Sequence, residues 1–452
     1  MAKVPLSMDE SRSEWRGWIE RRWFALLVGV AIALLAWGTW EGFRVAPYYV
    51  SDDSALFQHA GWYITQGATP YVDFWDLKPP LIYGVTTVLA LLAGGDMHLL
   101  HLLSVAVAVA TVVAGVALVG LLTYRVTDDG FAGFVAGVAT FALPSLYTYP
   151  FAGIRPKYFA FALGAAALLL AVSDRPAWSG AAAAAAAGFW QLGAPIALLV
   201  VAMGYQRGGR RAAGRTVLGG LLVAAAVVLP FVAAGLAIPL FLETVLGSIY
   251  GVENYSVAGR LLGVVVELGY GALLVPLGAY GWARAILDDP ERYWWVGAGG
   301  AVYALQVFLE FQGAIELVLL VVFLAVGAGL LVARARTPPR QAVVAGVVVL
   351  IVAGSLVWAV APVTSARDRM TELQESQTVS SYETLPPEPD GVPSMRTIYW
   401  EKRQPEICHY RLGHKQRWYA HKTGEPLDKP KCGQWPFDDP PAEWVVDRML
   451  PG

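Results

Sequence analysis

V-S-D-D-S-A-L-F-Q-H-A-G-W-Y-I-T-Q-G-A-T-P-Y-V-D-F-W-D-L-K-P-P-L-I-Y, residues Val50 to Tyr83, is the stretch on which the reading of this chain turns. It gathers Asp52, Asp53, Asp73, Asp76 and Lys78 beside long apolar runs. A carboxylate stranded at mid-bilayer costs about 2.5–3.5 kcal/mol or more, so a cluster of them belongs in water or along a polar cavity. The stretch is therefore expected just outside the first membrane span. Within it, Leu56, Phe57, Ala60, Tyr63 and Ile64 recur at helical spacing, with Ser54, Gln58 and His59 largely on the other side. That pattern predicts a short helix lying on the membrane surface, N-capped by Asp53 or Ser54.

The rest of the chain sets the class. Hydrophobic residues make up 56% and charged residues 15% of the 452, and mean hydropathy is +0.50, which excludes an ordinary soluble domain. The expected fold is an all-α polytopic membrane protein. Its net charge of −2 carries no signature of nucleic-acid binding, because in such a chain the placement of charge matters more than the sum.

Before Trp23 the segment S-R-S-E-W-R-G-W-I-E-R-R is basic and interfacial, and the apolar run Trp23 to Trp40 lacks a small-residue cleavage site. It reads as an uncleaved first span with residues 1–22 in the cytoplasm and the loop 41–98 outside. Leu81 to Ala93 is too short to cross and is expected as a half-buried surface helix. Further spans are expected at 99–123, 131–149, 157–173, 178–191, 194–205, 216–236, 261–283, 293–309, 314–333 and 342–362, about eleven in all with the first. On that count Arg125, Arg175, the run from Arg207 to Arg215, Arg284, Arg292 and the turn from Arg334 to Arg340 share the inner side. The open point is 178–205, where W-Q-L-G-A-P interrupts an alanine-rich run. Two spans there keep the arginine cluster inside, whereas one kinked helix would reverse every later loop.

Residues 23–362 thus form a transmembrane module, and 363–452 are polar and aromatic, a small extracytoplasmic domain or ordered tail. Cys408 and Cys432, the only cysteines, fall in that tail. A disulfide between them would close about 24 residues and contribute about 3 kcal/mol. Two free thiols are the bland alternative. A metal site built from Cys408, His409, His414, His421 and Cys432 matches no common zinc spacing.

The frame D-S-x-x-F, then Gly67, then P-Y-x-D-x-x-D-x-K-P-P-L-I-Y from Pro70 resembles the first extracytoplasmic loop of the GT-C membrane glycosyltransferases. Within them it is most similar to the branch of protein O-mannosyltransferases, lipid A aminoarabinose transferases and archaeal dolichyl-phosphate-mannose mannosyltransferases. The resemblance implies a GT-C fold and an inverting transfer of a hexose, mannose by analogy, from a polyprenyl or dolichyl phosphate donor to a glycan or protein acceptor at the outer face. It implies a membrane-lying helix after K-P-P-L and a key aspartate at Asp53, immediately before the D-S-x-x-F turn is completed by Ser54 and Phe57.

Sugar transfer from a lipid phosphate needs a base for the acceptor hydroxyl and cations for the departing phosphate, at headgroup depth. Asp53 is the candidate base, since a partly desolvated carboxylate beside a hydroxyl suits that work. Asp52 is the second catalytic candidate, and the competing reading of both is that they cap a helix, worth about 1 kcal/mol. Lys78, fixed before two prolines, either meets the lipid phosphate or merely snorkels. Asp73 and Asp76 are expected to organise the loop, with Lys78 as a partner. Arg155 and Lys157 lie in an outer turn, against the positive-inside bias, and are donor-phosphate candidates or contacts to ordinary headgroups. Gln191 stands where relatives often carry a lysine. Glu243, Tyr250, Glu253, Asn254, Tyr255, Glu310, Gln312 and Glu316 are unspecific candidates for sugar contacts. His59, His98 and His101 are too scattered to suggest a metal, and no cofactor is indicated. A lipid-linked sugar flippase and a non-catalytic scaffold are the competing functions; a flippase is expected to place charges at mid-membrane.

Overall fold

The computed structural model describes residues 8–74, 76–247, 254–309, 313–335, 337–360, 364–375, 378–379 and 394–402. The expected disulfide Cys408–Cys432, the histidines of the tail, and Tyr250, Glu253, Glu310 and Gln312 lie outside the described residues.

The regular structure of the described residues is helical, with one two-residue antiparallel pairing of β1 (Asn254–Tyr255) with β2 (Thr378–Val379) and an isolated bridge between Pro70 and Phe74. Helix α1 (Met8–Val45) leads into α2 (Asp52–Thr65), α3 (Leu81–Ala93), α4 (Met97–Thr127) and α5 (Gly130–Ala139). A short α6 (Ser145–Thr148) precedes α7 (Pro156–Val172), α8 (Pro176–Phe189), α9 (Ala194–Ala233) and α10 (Ala237–Phe241). The remainder is α11 (Val257–Leu268), α12 (Leu274–Asp288), α13 (Pro290–Leu309), α14 (Val318–Arg334), α15 (Pro338–Val360), α16 (Thr364–Glu375) and α17 (Met395–Trp400). Among the described residues, six helical stretches are long and apolar enough to cross a membrane: Glu20–Val45, Met97–Thr127, Gln191–Ala233, Val257–Asp288, Ile315–Arg334 and Pro338–Val360. The chain is an integral membrane protein. The other expected spans coincide with shorter or less apolar helices; that at 131–149 breaks after a 3-10 turn at Thr140–Ala142, where Pro144 has no N–H to continue the ladder.

The chain does turn within 178–205. Trp190 is extended (φ −148°, ψ 126°), Gln191–Gly193 make a single 3-10 turn, and α9 starts on Ala194 and Pro195. α9 itself breaks at Gly208 and Gly209, the latter left-handed at φ +61°, so it descends and returns as a hairpin. Small residues let α8 seat on the returning arm: a Cβ on Gly180 would run into the carbonyl of Thr216, and one on Gly219 into that of Ala177.

Two apolar cores result. The larger surrounds α14, nearly every residue of which is buried, as expected of a helix apolar on all sides. The smaller joins Leu56, Phe57, Tyr71, Phe74, Ile82, Tyr83, Ile154, Phe189 and Tyr399 beneath the aspartate-rich loop. This second core corrects one expectation. α2 is not a surface helix with a wet face: residues Ser54 to Trp62 are all buried, Gln58 and His59 included. The polar side of α2 is covered by α17, which belongs to the far end of the chain. α3 is half-buried as its length implied, with Ile82, Tyr83, Thr86 and Leu89 inside and Leu91 and Leu92 exposed.

Charge separates along α4, whose 31 residues span about 45 Å at 1.5 Å per residue. At its start the carbonyl of Met97 accepts from Tyr399 Oη; at its end that of Val126 accepts from Arg292 Nη2 at 2.7 Å. Arg125, Arg207 and Arg292 line a cavity of about 520 Å³ at that second end, where Arg207 also pairs Asp174 at 2.8 Å and Arg334 pairs Asp288 at 3.1 Å. The aspartate-rich loop sits at the first end.

Candidate active site

The site begins where two loops are clasped. Ser51 N–H donates to the carbonyl of Ala152 at 3.2 Å, and Ser51 Oγ then accepts from Ser54 N–H at 3.3 Å as the N-cap of α2. Neither Asp53 nor Ser54 is the cap. Asp52 and Asp53 occupy the first turn instead, where the helix dipole favours anions and their oxygens are left for other partners.

The opposite loop is shaped by Gly153. Its φ of +105° suits glycine, and a Cβ there would collide with Ser54 Oγ and lie 2.7 Å from Gln58 Nε2 and 3.1 Å from Ser104 Oγ. Ser104 Oγ accepts from Ile154 N–H at 2.7 Å, which fixes the next residue, Arg155, in extended conformation ahead of α7. Arg155 Nη1 thereby comes to 3.7 Å from Asp53 Oδ2, and its guanidinium carbon lies 5.2 Å from the centre of the Tyr149 ring. The Arg155 side chain is 15% exposed and that of Asp53 39%, so the pair stands at the rim of the protein with the carboxylate outward. Arg155 Nε is buried without a hydrogen-bond partner among the described residues.

The loop carrying Lys78 is organised by the two later aspartates. Asp73 Oδ2 accepts from Thr69 N–H at 2.6 Å and closes a turn in which Tyr71 is left-handed at φ +68°. Asp76 is buried, accepts from Leu77 N–H and Tyr83 Oη at 2.7 Å each, and does not pair Lys78. Tyr71 Oη donates to the Lys78 carbonyl at 2.7 Å; burial, helped by the charges of Asp76 and Glu243, holds this phenol well above its ordinary range, so it remains a donor. Gln191 Nε2 donates to the carbonyls of Leu77 and Thr244. Gln191 therefore holds the backbone beside Lys78.

Lys157 is placed differently from Arg155. Its Nζ lies 3.1 Å from Glu316 Oε1 and 5.3 Å from the centre of the Trp190 ring, with both charged side chains largely buried. Glu316, a candidate sugar contact in the sequence, is the counter-ion of Lys157. Asp52 pairs Arg396 of α17 at 3.0 Å, a residue that sequence reasoning missed because nothing local distinguishes it in the polar tail. His59 packs on Trp62 and Tyr63, and His98 and His101 face Trp400. Among the described residues no three His, Cys, Asp or Glu side chains gather into a metal-holding group.

Two cavities adjoin these residues. An apolar groove of about 470 Å³ starts at Pro79 and Pro80 and runs between α8 and α9, over Ala184, Gly188, Leu221 and Val228. A smaller one of about 160 Å³ lies beside Tyr149, lined by Ser145, Thr148, Glu267 and Trp358. The arrangement offers an outward carboxylate, a largely buried guanidinium, a hydrocarbon-lined groove that begins at the two prolines after Lys78, and a small polar and aromatic cavity.

Comparison with known proteins bears on this geometry. Residues 67–229, which include the Lys78 loop and Arg155, match the profile of a family described as DolP-mannose mannosyltransferase. A "Dolichol phosphate-mannose mannosyltransferase" of Haloferax volcanii is 28% identical over 447 residues, covering 91% of this chain and 95% of that protein. The crystal structure of an Archaeoglobus fulgidus oligosaccharyltransferase, tethered with an acceptor peptide, superposes with a TM-score of 0.50 at 13% identity. That match covers 92% of this chain and 61% of the oligosaccharyltransferase, so the two share a fold while this chain spans about three fifths of the larger protein.

Proposed function

We propose that this membrane protein, a relative of the DolP-mannose mannosyltransferases with the GT-C fold, transfers mannose from dolichyl phosphate mannose to a glycan or glycoprotein acceptor. The single observation that carries the reading is the approach of Asp53 Oδ2 to Arg155 Nη1 at 3.7 Å, a base and a cation brought to one rim of the bundle. An acceptor hydroxyl attacks the anomeric carbon as its proton passes to Asp53. The bond from that carbon to the phosphate oxygen breaks with inversion, and dolichyl phosphate leaves.

Each other element has a place in that step. The groove behind Pro79 and Pro80 suits a polyprenyl chain, since its walls are methyl and methylene groups and it begins at the two prolines that follow Lys78 in the chain. Lys78 and Arg155 then face the phosphate, and electrostatic stabilisation of this kind is worth about 10²–10³ in rate. Arg155 Nε, buried and without a hydrogen-bond partner among the described residues, is a donor suited to a phosphate oxygen. A carboxylate acting as general base supplies roughly 10²–10⁴ more. Asp73, Asp76 and Gln191 hold the loop, and the Lys157–Glu316 pair builds the wall beneath it.

Orientation follows from charge: the arginine-lined end of α4 faces the cytoplasm and the Asp53 end the outside, with the N-terminus inside. The flippase reading lacks support, because the site residues gather at one end of the bundle. The test is to incubate purified protein with radiolabelled dolichyl phosphate mannose and membrane glycans. Transfer of label to glycan or glycoprotein is expected; movement of intact donor across the bilayer without transfer would overturn the proposal.

A further inference from the structure

We infer that Arg396, on α17, is a positioning residue of the site: it neutralises Asp52, so that Asp53 alone engages Arg155. The inference rests on reading Asp53 as the base. Asp52 and Asp53 are consecutive in the first turn of α2, and two adjacent carboxylates make each other harder to ionise. The structure gives each its own cation from a different direction. Arg396 Nη2 donates to Asp52 Oδ2 at 3.0 Å, and its Nε lies 3.0 Å from Oδ1 as an ion-pair contact without a hydrogen bond. The guanidinium carbon lies 4.7 Å from the centre of the Tyr49 ring, and Nη2 also reaches Tyr49 Oη at 3.3 Å. Without Arg396, Asp52 would be a second anion competing for Arg155.

The helix that carries Arg396 is firmly seated on α2. Tyr399 is fully buried, and its hydroxyl contacts Gln58 Oε1 at 2.9 Å and the Met97 carbonyl at 2.5 Å. Gln58 Nε2 in turn donates to Ser54 Oγ at 2.8 Å, one residue from Asp53. Trp400 packs on His98 with ring centres 4.7 Å apart. Among the described residues, the charged and titratable groups that meet Asp52, Asp53 or their two arginines include Arg155 and Tyr149 from the loop before α7, Tyr49 from the loop before α2, and Arg396 from α17. His98, on α4, faces Trp400.

The experiment compares wild type, Arg396→Ala and the double variant Asp52→Asn/Arg396→Ala for mannose transfer across pH, with thermal unfolding of each in detergent. Arg396→Ala is expected to slow transfer about tenfold and to move the acidic limb of the pH–rate profile up by about half a unit to one unit. Removing the stray carboxylate in the double variant is expected to restore most of the rate and return the limb. A residue that merely tethered α17 would not be rescued by deleting its partner. A double variant as slow as Arg396→Ala, with the acidic limb unmoved in both, would overturn the inference. Should wild type transfer nothing, the functional reading fails, and the thermal series alone judges the pair: recovery of stability in the double variant supports neutralisation of Asp52, and no recovery overturns it.

Discussion

Arg155 Nη1 sits 3.7 Å from Asp53 Oδ2, and the two residues reach that separation through a backbone clasp between Ser51 and Ala152. At that distance the pair is coupled by charge and not by a direct hydrogen bond. Arg155→Ala is expected to lower kcat/KM for transfer by about 10²–10³, the range for loss of one charge-stabilising donor. Groups that act in one step lose activity non-additively, so Asp53→Asn/Arg155→Ala should be little slower than the slower single variant. Steady-state kinetics of the four proteins check this. Fully multiplicative losses would mean that the two residues serve different steps.

Gly153 sets the approach of the two loops. Gly153→Ala places a Cβ into Ser54, Gln58 and Ser104 at a φ of +105°, which is expected to cost about 1–3 kcal/mol in strain alone and to abolish most transfer by moving Arg155. Gly94, at φ +59° with nothing within 4 Å of its Cβ position, provides the control. Gly94→Ala should lower the melting temperature slightly and leave transfer intact.

The features legible in the sequence share one property: they violate what a membrane allows. Aspartates beside an apolar run, and Arg155 in a turn on the side poor in basic residues, are informative because lipid makes misplaced charge expensive. The turn at Trp190–Gly193 was legible for a related reason, since glycine and proline interrupt an alanine helix that would otherwise continue. The N-cap of α2 was not legible. Ser51, Asp52, Asp53 and Ser54 are all good caps, and the choice among them is made by the bond from Ser51 to Ala152, a partner far away in sequence. The burial of Gln58, the pairing of Lys157 with Glu316 and the reach of Arg396 to Asp52 likewise depend on distant partners that leave no local periodicity.

Lys157 and Glu316 form a largely buried ion pair, and that determines how their variants behave. Lys157→Ala takes the cation out of this largely buried pair and is expected to destabilise the protein by about 3–5 kcal/mol. Replacing both, Lys157→Met with Glu316→Leu, should recover most of that loss. Thermal unfolding in detergent measures both. A single variant as stable as wild type would show that the carboxylate has another partner of equal strength.

At the opposite end of the bundle, the hydrogen bond from Arg207 holds the Asp174 carboxyl below its ordinary range. A depressed folded-state value means that the unfolded chain binds the proton more readily. The pair's contribution is therefore fully present above the unfolded value of about 3.9 and is lost as pH falls through the lower folded value. Melting curves of wild type and Asp174→Asn should differ at pH 6 and converge near pH 2–3. A difference that persists unchanged at low pH would contradict this assignment.

The central claim is that Asp53 takes the acceptor's proton, and Asp53→Asn tests it most directly because the amide keeps the shape and removes the base. The measurement is transfer of labelled mannose from dolichyl phosphate mannose by matched amounts of folded wild type and variant, with donor binding measured in parallel. A fall in turnover of roughly 10²–10⁴ with donor affinity within a few fold of wild type is the predicted result. Turnover by Asp53→Asn within about threefold of wild type would contradict it, since a group worth so little is not the general base.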